Sequence, residues 1–243
     1  MSPNGKIAFI TGANKGIGLE TSRQLAHLGF TVLIGCRDTE KGVAAIQQIQ
    51  QPGLDLQMIK IDTTIESDRQ AAVKQIESQF GKLDVLINNA AVALDRGVAP
   101  SAVSQDILHR TFEANFFSVV ALTQTLLPLI RKSEAGRIVN LSSNLASLTK
   151  HCDPASDTYN VKILAYNASK TAINAFTVHL AHELRDTSIK VNSAHPGWVK
   201  TSMGGVHAPM EIADGAKTSV RLATLPADGP TGGFFFMDET IPW

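Results

Sequence analysis

The sequence predicts a single α/β domain, residues 1–243, built on a doubly wound parallel sheet of about seven strands with helices on both faces. Three observations lead to this prediction. Short apolar runs rich in Val, Ile and Phe alternate along the chain with longer stretches of period near 3.6. The runs are mostly apolar throughout, which is typical of strands buried on both faces. No internal repeat, low-complexity tract or Pro/Gly/Ser-rich linker divides the chain.

The elements follow one another as strand, helix, strand, which implies right-handed crossovers and parallel pairing. Clear helical periods cover Leu19–Leu28 and Ser67–Phe80, and a further helix is expected to begin near Thr39 with Asp38 as its N-cap. The predicted strands are Lys6–Thr11, Thr31–Cys36, Leu56–Ile61, Leu83–Asn88, Gly136–Ser142, Ile189–Ala194 and Gly233–Met237.

Two polar segments interrupt this alternation, His151–Thr158 and Lys200–Pro209. Both follow strand ends, where a doubly wound fold binds its ligands. We therefore interpret them as candidate borders of a ligand site, with ordinary surface connections as the alternative.

Composition and charge exclude several classes of protein. Hydrophobic residues make up 44% and charged residues 18%, so the chain can build a core and is not globally disordered. Lys+Arg and Asp+Glu number 22 each, which offers no basic surface to nucleic acid or to an anionic membrane. The longest apolar runs are strand-sized, and the N-terminus enters a strand pattern at once, so neither a membrane span nor a signal peptide is expected. Cys36 and Cys152 stand alone, without CxxC spacing, which favours a reduced cytoplasmic protein.

The first strand leads into a glycine-rich turn, TGANKGIG at Thr11–Gly18. A tight turn requires glycine, and close approach of the backbone to a pyrophosphate requires another. The N-terminus of the following helix offers free N–H groups and a positive dipole end to an anion. The motif predicts a phosphate-binding turn, and a tight strand-to-helix turn without a ligand is the alternative.

Tyr166 and Lys170 lie one helical turn apart, with Cβ atoms expected about 5–6 Å from each other. An ammonium near a phenol favours the phenolate and lowers the tyrosine pKa from about 10, which prepares it to exchange a proton. Ile173, Leu180 and Leu184 fall on the same side of this helix, so the pair is expected to face inward. Chance pairing at this spacing is the alternative.

The remaining polar candidates lie at strand ends or among aromatic residues. Ser142 and Ser143 close a strand and would project into the ligand crevice, or would cap a turn. Asn115 lies in a helical stretch between phenylalanines, where a polar side chain serves a structural or catalytic hydrogen-bond network. His179 and His182 have i, i+3 spacing but no third ligand pattern, so we predict a solvated or subunit-contact face and no metal site.

Taken in order, these motifs resemble the short-chain dehydrogenase/reductase family over nearly the whole chain, from Lys6 to Gly233. The resemblance implies a Rossmann-like sheet. The carbonyl reductase branch is the most similar, through TGANKGIGLE, the Cys-Arg-Asp after the second strand and LLPLI at 126–130. The motifs that carry the family resemblance are TGANKGIG at 11–18, NNA at 88–90, Asn115, SS at 142–143, YNASK at 166–170 and HPGWVKT at 195–201.

The resemblance implies a catalytic tetrad of Asn115, Ser143, Tyr166 and Lys170. Ser143 would hydrogen-bond the substrate oxygen, and Tyr166 would give that oxygen a proton while hydride arrives from the nicotinamide. Lys170 would hold the ribose hydroxyls and lower the Tyr166 pKa, and Asn115 would position a water in a proton relay. The implied cofactor site comprises Gly12, Asn14, Lys15, Gly16, Ile17, Gly18, Arg37, Asp62, Thr63, Asn89, Ala90, Tyr166, Lys170, Pro196, Gly197, Val199 and Thr201.

Two features depart from the family pattern. Ala91 stands where the family's NNAG motif has glycine, which places a methyl group near the cofactor. Ser143 and Tyr166 are 23 positions apart, more than is common in the family, because of the polar His151–Thr158 region. A larger insertion here is associated with monomers in some carbonyl reductases, so monomer, homodimer and homotetramer all stay open.

The residues after the second strand favour NADP(H). The position that is acidic in NAD-preferring members is Cys36 here, and the next residue, Arg37, offers a planar fork suited to phosphate oxygens. Lys15 in the glycine turn supplies a second positive charge. Asp38 is the counter-indication, because an acid at about this distance can indicate NAD.

The resemblance implies NADPH-dependent, reversible reduction of the carbonyl group of a small aldehyde or ketone. Reduction of a 3-oxoacyl group and NAD-linked alcohol oxidation are the alternatives within the family. A non-catalytic NADP(H) sensor is disfavoured, because such relatives usually lack the tyrosine or the lysine. Apolar pocket walls are expected at Leu145, Tyr159, Trp198 and Met203, with core or surface packing as the alternative.

Overall fold

The computed structural model describes residues 4–243, which form one eight-stranded sheet in the order β3-β2-β1-β4-β5-β6-β7-β8. The first seven strands pair in parallel, and β8 pairs antiparallel with β7. The strands are β1 Ile7–Thr11, β2 Thr31–Cys36, β3 Asp55–Lys60, β4 Val85–Asn88, β5 Arg137–Leu141, β6 Lys190–Ala194, β7 Phe234–Phe236 and β8 Glu239–Thr240.

Helices cover both faces of this sheet, as the apolar strands require. The helices are α1 Gly16–His27, α2 Thr39–Ile49, α3 Glu66–Phe80, α4 Gln105–Phe112, α5 Ser118–Ile130, α6 Leu148–Cys152, α7 Leu164–Glu183, α8 Ile212–Gly215 and α9 Lys217–Ala223. One core cluster joins α3, α5 and α7 to the sheet through side chains such as Phe9, Ile76 and Leu122. The other joins α1, α2 and α9 to the opposite face through Ile10, Leu25 and others.

The seven strands expected from sequence are confirmed to within two residues at each end. The N-cap at Asp38 is also confirmed, because its side chain accepts a hydrogen bond from the Lys41 N–H. Helix α1 begins three residues earlier than its apolar period indicated, because the glycine turn itself supplies its first residues. Strand β8 was not expected: it has two exposed residues, too few for any pattern.

The helical run Gln105–Ile130 is long and apolar enough, by composition, to cross a membrane, although polar residues divide it into short apolar runs. In the structure its second half, α5, buries Leu122, Leu126 and Leu129 in the core. Those apolar residues are therefore accounted for by packing against the sheet.

The topology reverses direction between β1 and β4, since β2 and β3 lie on one side of β1 and the later strands on the other. The carboxyl ends of β1, β4, β5 and β6 therefore open onto one crevice, which is where ligands bind in open α/β sheets.

Candidate active site

The glycine turn is packed so closely that two of its glycines cannot carry a side chain. A Cβ on Gly12 would lie 2.9 Å from the Cα of Ala90, and one on Gly18 would lie 2.5 Å from Asn89 Nδ2. Gly12 and Gly16 also have positive φ angles of 62° and 57°. The backbone between β1 and α1 is thereby held against the end of β4.

The NNA segment after β4 holds this turn in place. Asn89 Nδ2 donates to the carbonyl oxygens of Thr11 at 2.8 Å and Gly12 at 3.1 Å. In return, Thr11 Oγ1 accepts from the N–H groups of Asn89 and Ala90. Helix α1 begins at Gly16 without a side-chain cap and with no acid in its first turn. Its N-terminus is therefore suited to an anion.

A cavity of about 420 Å³ runs along the carboxyl edge of the sheet from this turn to Tyr166. Most of the predicted cofactor residues line it: Gly12, Asn14, Lys15, Gly16, Ile17, Gly18, Arg37, Asp62, Thr63, Asn89, Ala90, Tyr166, Lys170, Pro196 and Thr201. Sequence reasoning did not assign ten further lining residues to the cofactor site: Cys36, Ile61, Thr64, Ala91, Val92, Ala114, Leu141, Ser142, Ser202 and Met203. Most of these directly follow or precede a predicted residue, so strand-end position was the available signal.

Gly197 and Val199 are predicted cofactor residues that do not line this cavity. Val199 is buried, and its side chain fills the space beside Gly215, where a Cβ would lie 2.6 Å from Val199 Cγ2. Gly197 has a φ of 87° and lies under Met210. Both residues therefore contribute to the packing of the loop after β6 and not to the surface of the cavity.

At one end of the cavity, Arg37 and Asp62 face each other. Arg37 Nη1 lies 3.7 Å from Asp62 Oδ2, and the arginine side chain is 76% exposed. Asp62 Oδ1 accepts hydrogen bonds from the N–H and the hydroxyl of Thr64. An exposed ion pair of this length contributes about 0–1 kcal/mol, so the guanidinium can readily take another anion as partner.

At the other end, helix α7 presents Tyr166 and Lys170 to the cavity, as predicted. The ammonium of Lys170 lies 5.9 Å from the centroid of the Tyr166 ring. Ile173, Leu180 and Leu184 on the same helix side are buried. The inward orientation expected from the helical period is therefore confirmed.

The expected lowering of the Tyr166 pKa by Lys170 is not found. Burial raises the pKa of Tyr166, while a hydrogen bond with Ser143 and the charge of Arg96 oppose that rise. Burial also lowers the pKa of Lys170 to about 8. The two side chains are desolvated together, and desolvation disfavours both charged forms.

The two serines after β5 differ in their contacts. Ser143 does not line the cavity, but its hydroxyl lies beside the Tyr166 phenol and opposes the rise in the Tyr166 pKa, and its Oγ accepts from the Leu145 N–H at 3.2 Å. Ser142 lines the cavity, and its hydroxyl donates to the Lys170 carbonyl oxygen at 3.5 Å. Ser143 therefore caps a turn, which was the alternative interpretation from the sequence, and its hydroxyl also faces the phenol of Tyr166.

Asn115 lies in a π-helical turn, Glu113–Phe117, between α4 and α5. Its Oδ1 accepts from the Val92 N–H, and its Nδ2 donates to the Val92 carbonyl oxygen, both at 2.8 Å. Nδ2 also donates to Ser169 Oγ at 3.0 Å. π-Turns are frequent at functional sites. This one connects α7 with the loop after β4, and Asn115 itself does not line the cavity.

His195, which opens the HPGWVKT segment, was not singled out from sequence. Its Nδ1 accepts a hydrogen bond from the Asn144 N–H at 3.2 Å, directly after Ser143. Burial lowers its pKa to about 4, and the Lys150 charge adds to this while Asp157 opposes it. A neutral imidazole therefore supports the turn that carries Ser143.

The suggested pocket walls divide into two groups. Met203 lines the cavity, whereas Trp198 is 57% exposed and donates from Nε1 to the Gly204 carbonyl oxygen. Tyr159 is exposed, with the Lys162 ammonium 5.0 Å from its ring centroid. Of the suggested pocket walls, only Met203 lines this cavity in the described part of the chain.

His179 and His182 lie on the exposed side of α7. Across residues 4–243, no group of three or more His, Cys, Asp and Glu side chains is arranged to hold a metal ion.

Comparison with known proteins places the chain in a family. The family model described as short chain dehydrogenase matches residues 6–211. A short-chain dehydrogenase, anuI, of Penicillium roqueforti is 37% identical over 225 residues, covering 90% of this chain and 88% of the relative. Carbonyl reductase [NADPH] 1 of Sus scrofa is 31% identical over 282 aligned positions, covering 100% of this chain and 96% of the relative.

Among solved structures, the carbonyl reductase Sniffer of D. melanogaster superposes with a TM-score of 0.84 at 27% identity, covering 98% of this chain and 99% of that one. The fold and the cleft define an α/β oxidoreductase with a Rossmann-like sheet. The chain belongs to the short-chain dehydrogenase/reductase family and is carbonyl reductase-like within it.

Proposed function

We propose that this protein reduces the carbonyl group of an aldehyde or ketone to an alcohol, with NADPH as the hydride donor. The observation that carries the proposal is that Tyr166 and Lys170 line the inner end of a cleft that begins at the glycine turn, with the Ser143 hydroxyl beside the Tyr166 phenol. A carbonyl oxygen beside the two hydroxyls would find both a hydrogen-bond donor and a proton source.

The residues of the cleft fit a dinucleotide phosphate. Gly12 and Gly18 let the turn pack directly against Ala90 and Asn89, and the uncapped N-terminus of α1 lines the cleft beside this turn. Lys15 and Arg37 both line the cleft and add two cations that can pair with a ribose 2′-phosphate. Relatives named carbonyl reductase [NADPH] support the same choice of cofactor.

When bound, NADPH supplies a hydride to the carbonyl carbon. Tyr166 donates a proton to the carbonyl oxygen, and Ser143 holds that oxygen and the phenol in line. Lys170 places a positive charge beneath the tyrosine ring and is available to ribose hydroxyls. Asn115 fixes the loop after β4 and Ser169 of α7, so that the proton donor is held against the cleft.

We also propose a cytoplasmic location, because Cys36 and Cys152 are not paired with each other and need no oxidising compartment. Its partner is a small carbonyl compound or the corresponding alcohol. A homodimer or homotetramer is compatible with the exposed face of α7.

The test is NADPH consumption by the purified protein with a panel of small aldehydes and ketones. The panel includes a 3-oxoacyl thioester, and the reverse assay offers alcohols with NAD+ and NADP+. Turnover of simple aldehydes or ketones with NADPH is expected. Turnover confined to the thioester, or to alcohols with NAD+, would replace the proposal by one of those activities.

A further inference from the structure

Asp95 is a carboxylate that the proposed mechanism does not use, and it is fully buried, with 0% exposure. It lies in the loop after β4, 70 positions before the helix that it contacts. Its Oδ2 accepts a hydrogen bond from the Ala165 N–H at 2.6 Å, and its Oδ1 accepts from the Tyr166 N–H at 3.4 Å. The catalytic tyrosine is therefore held through its own main chain by a residue from another part of the fold.

Helix α7 needs such a partner, because its own N-cap residue provides none. Ile163 occupies the N-cap position, and no side chain there accepts a hydrogen bond. The first N–H groups of a helix lack acceptors within the helix, and its N-terminus carries a partial positive charge. A buried carboxylate is stable only when such donors surround it. Asp95 thus supplies acceptors for N–H groups at the start of α7, and those groups supply hydrogen-bond donors to its buried carboxylate.

The same loop contacts the active site at two further points. Val92 is hydrogen-bonded to Asn115 through both its N–H and its carbonyl oxygen. Arg96 donates to the carbonyl oxygen of Met203, which lines the cavity, and its charge lowers the pKa of Tyr166. A displacement of Asp95 would therefore move Tyr166 relative to Ser143 and Arg96, the groups that oppose the rise in the Tyr166 pKa.

We infer that Asp95 is a positioning residue for Tyr166: it caps helix α7 from the loop after β4 and so fixes the position of the Tyr166 phenol in the cleft. The inference rests on the proposed function for its catalytic consequence. Its structural half, the cap on Ala165 and Tyr166, is independent of any activity.

The experiment compares Asp95→Ala with Asp95→Asn. Asparagine keeps the shape and one acceptor oxygen, so it can still serve the Ala165 N–H but not both donors. Hydrogen exchange of the Ala165 and Tyr166 amides is measured in the protein without added cofactor. We expect faster exchange in Asp95→Ala and an intermediate rate in Asp95→Asn, which also carries the test if the alanine variant does not fold.

The catalytic readout is the contrast between kcat and NADPH affinity. We expect kcat to fall by about 10- to 100-fold in Asp95→Ala, because small misplacements of a reacting group are that costly. The Kd for NADPH, measured by fluorescence titration, stays within about twofold, because the cap does not touch the glycine turn. Asp95→Asn is expected to recover part of kcat.

Ser104→Ala is the matched control, because Ser104 caps helix α4 by accepting from the Ile107 N–H. It removes a helix cap without removing a hydrogen bond to α7, and it is expected to retain wild-type kcat. Unchanged exchange at Ala165 and Tyr166 in a folded Asp95 variant overturns the inference, and so does an equal loss of kcat in Ser104→Ala. If the wild-type protein reduces no carbonyl compound, the proposed function fails and the exchange rates alone decide the cap.

Discussion

The ammonium of Lys170 donates a hydrogen bond of 2.6 Å to the main-chain carbonyl oxygen of Leu141, the last residue of β5. This bond ties helix α7 to the strand that leads directly into Ser142 and Ser143. Because Tyr166 lies one turn before Lys170, the bond also sets how far the phenol lies from the serines. Lys170 thus has a structural role in the cleft besides any contact with a cofactor ribose.

The chain contains two tyrosines, which makes the proton donor testable with a matched pair of variants. Tyr166→Phe removes the transferable proton and is expected to lower kcat by about 10²–10⁴-fold, the usual contribution of general acid catalysis. NADPH affinity is expected to change little. Tyr159→Phe removes the other phenol, on an exposed ring, and is expected to retain activity. Comparable turnover in the two variants would remove Tyr166 from the mechanism.

The serine pair offers a second comparison, between neighbouring hydroxyls with different contacts. Ser143→Ala is expected to lower kcat far more than Ser142→Ala, because Ser143 faces the phenol while Ser142 bonds the Lys170 carbonyl. Ser143 also caps a turn, so Tm is measured for both variants to separate lost stability from lost catalysis. Equal losses of kcat would contradict the assignment, and the reverse order would give the role to Ser142.

Most of the fold and the cleft could be predicted from local sequence. Strands buried on both faces give continuous apolar runs, and the glycine turn and the Tyr166–Lys170 spacing depend on residues close together in the chain. The misses depend on distant contacts. Asp95 acts on α7 across 70 positions, and His195 reaches Asn144 across 51. The Tyr166 pKa was predicted in the wrong direction, because the spacing of the pair indicates a nearby lysine but does not indicate the burial that raises the pKa.

His195 predicts a pH dependence of stability. Burial lowers its folded-state pKa to about 4 from an ordinary value of 6.5, so in acid the unfolded chain binds a proton that the folded protein does not. The folded protein therefore loses stability as pH falls from 6.5 to 4, by about 3 kcal/mol in total. His195→Asn keeps an acceptor for the Asn144 N–H and does not titrate.

Denaturant unfolding across this pH range checks the prediction. The difference in unfolding free energy between wild type and His195→Asn is expected to shift against wild type as the pH falls. His179→Asn, at an exposed position, is the control and is expected to follow wild type. A difference between wild type and His195→Asn that stays constant from pH 6.5 to 4 would show that the ring is not held neutral.

Cofactor choice is expected to depend on Arg37. The side chain lies at the rim of the cleft with only a 3.7 Å contact to Asp62, so a 2′-phosphate can take its guanidinium without breaking a strong pair. A charged hydrogen bond contributes about 1.5–3 kcal/mol, so Arg37→Ala is expected to lower the preference for NADPH over NADH by roughly tenfold or more. The measurement is kcat/KM with each cofactor on one carbonyl substrate.

Lys41→Ala is the charge-matched control, because Lys41 is paired with Asp38 and does not line the cleft. A wild-type preference for NADH would overturn the assignment of NADP(H), and an unchanged preference in Arg37→Ala would transfer phosphate recognition to Lys15.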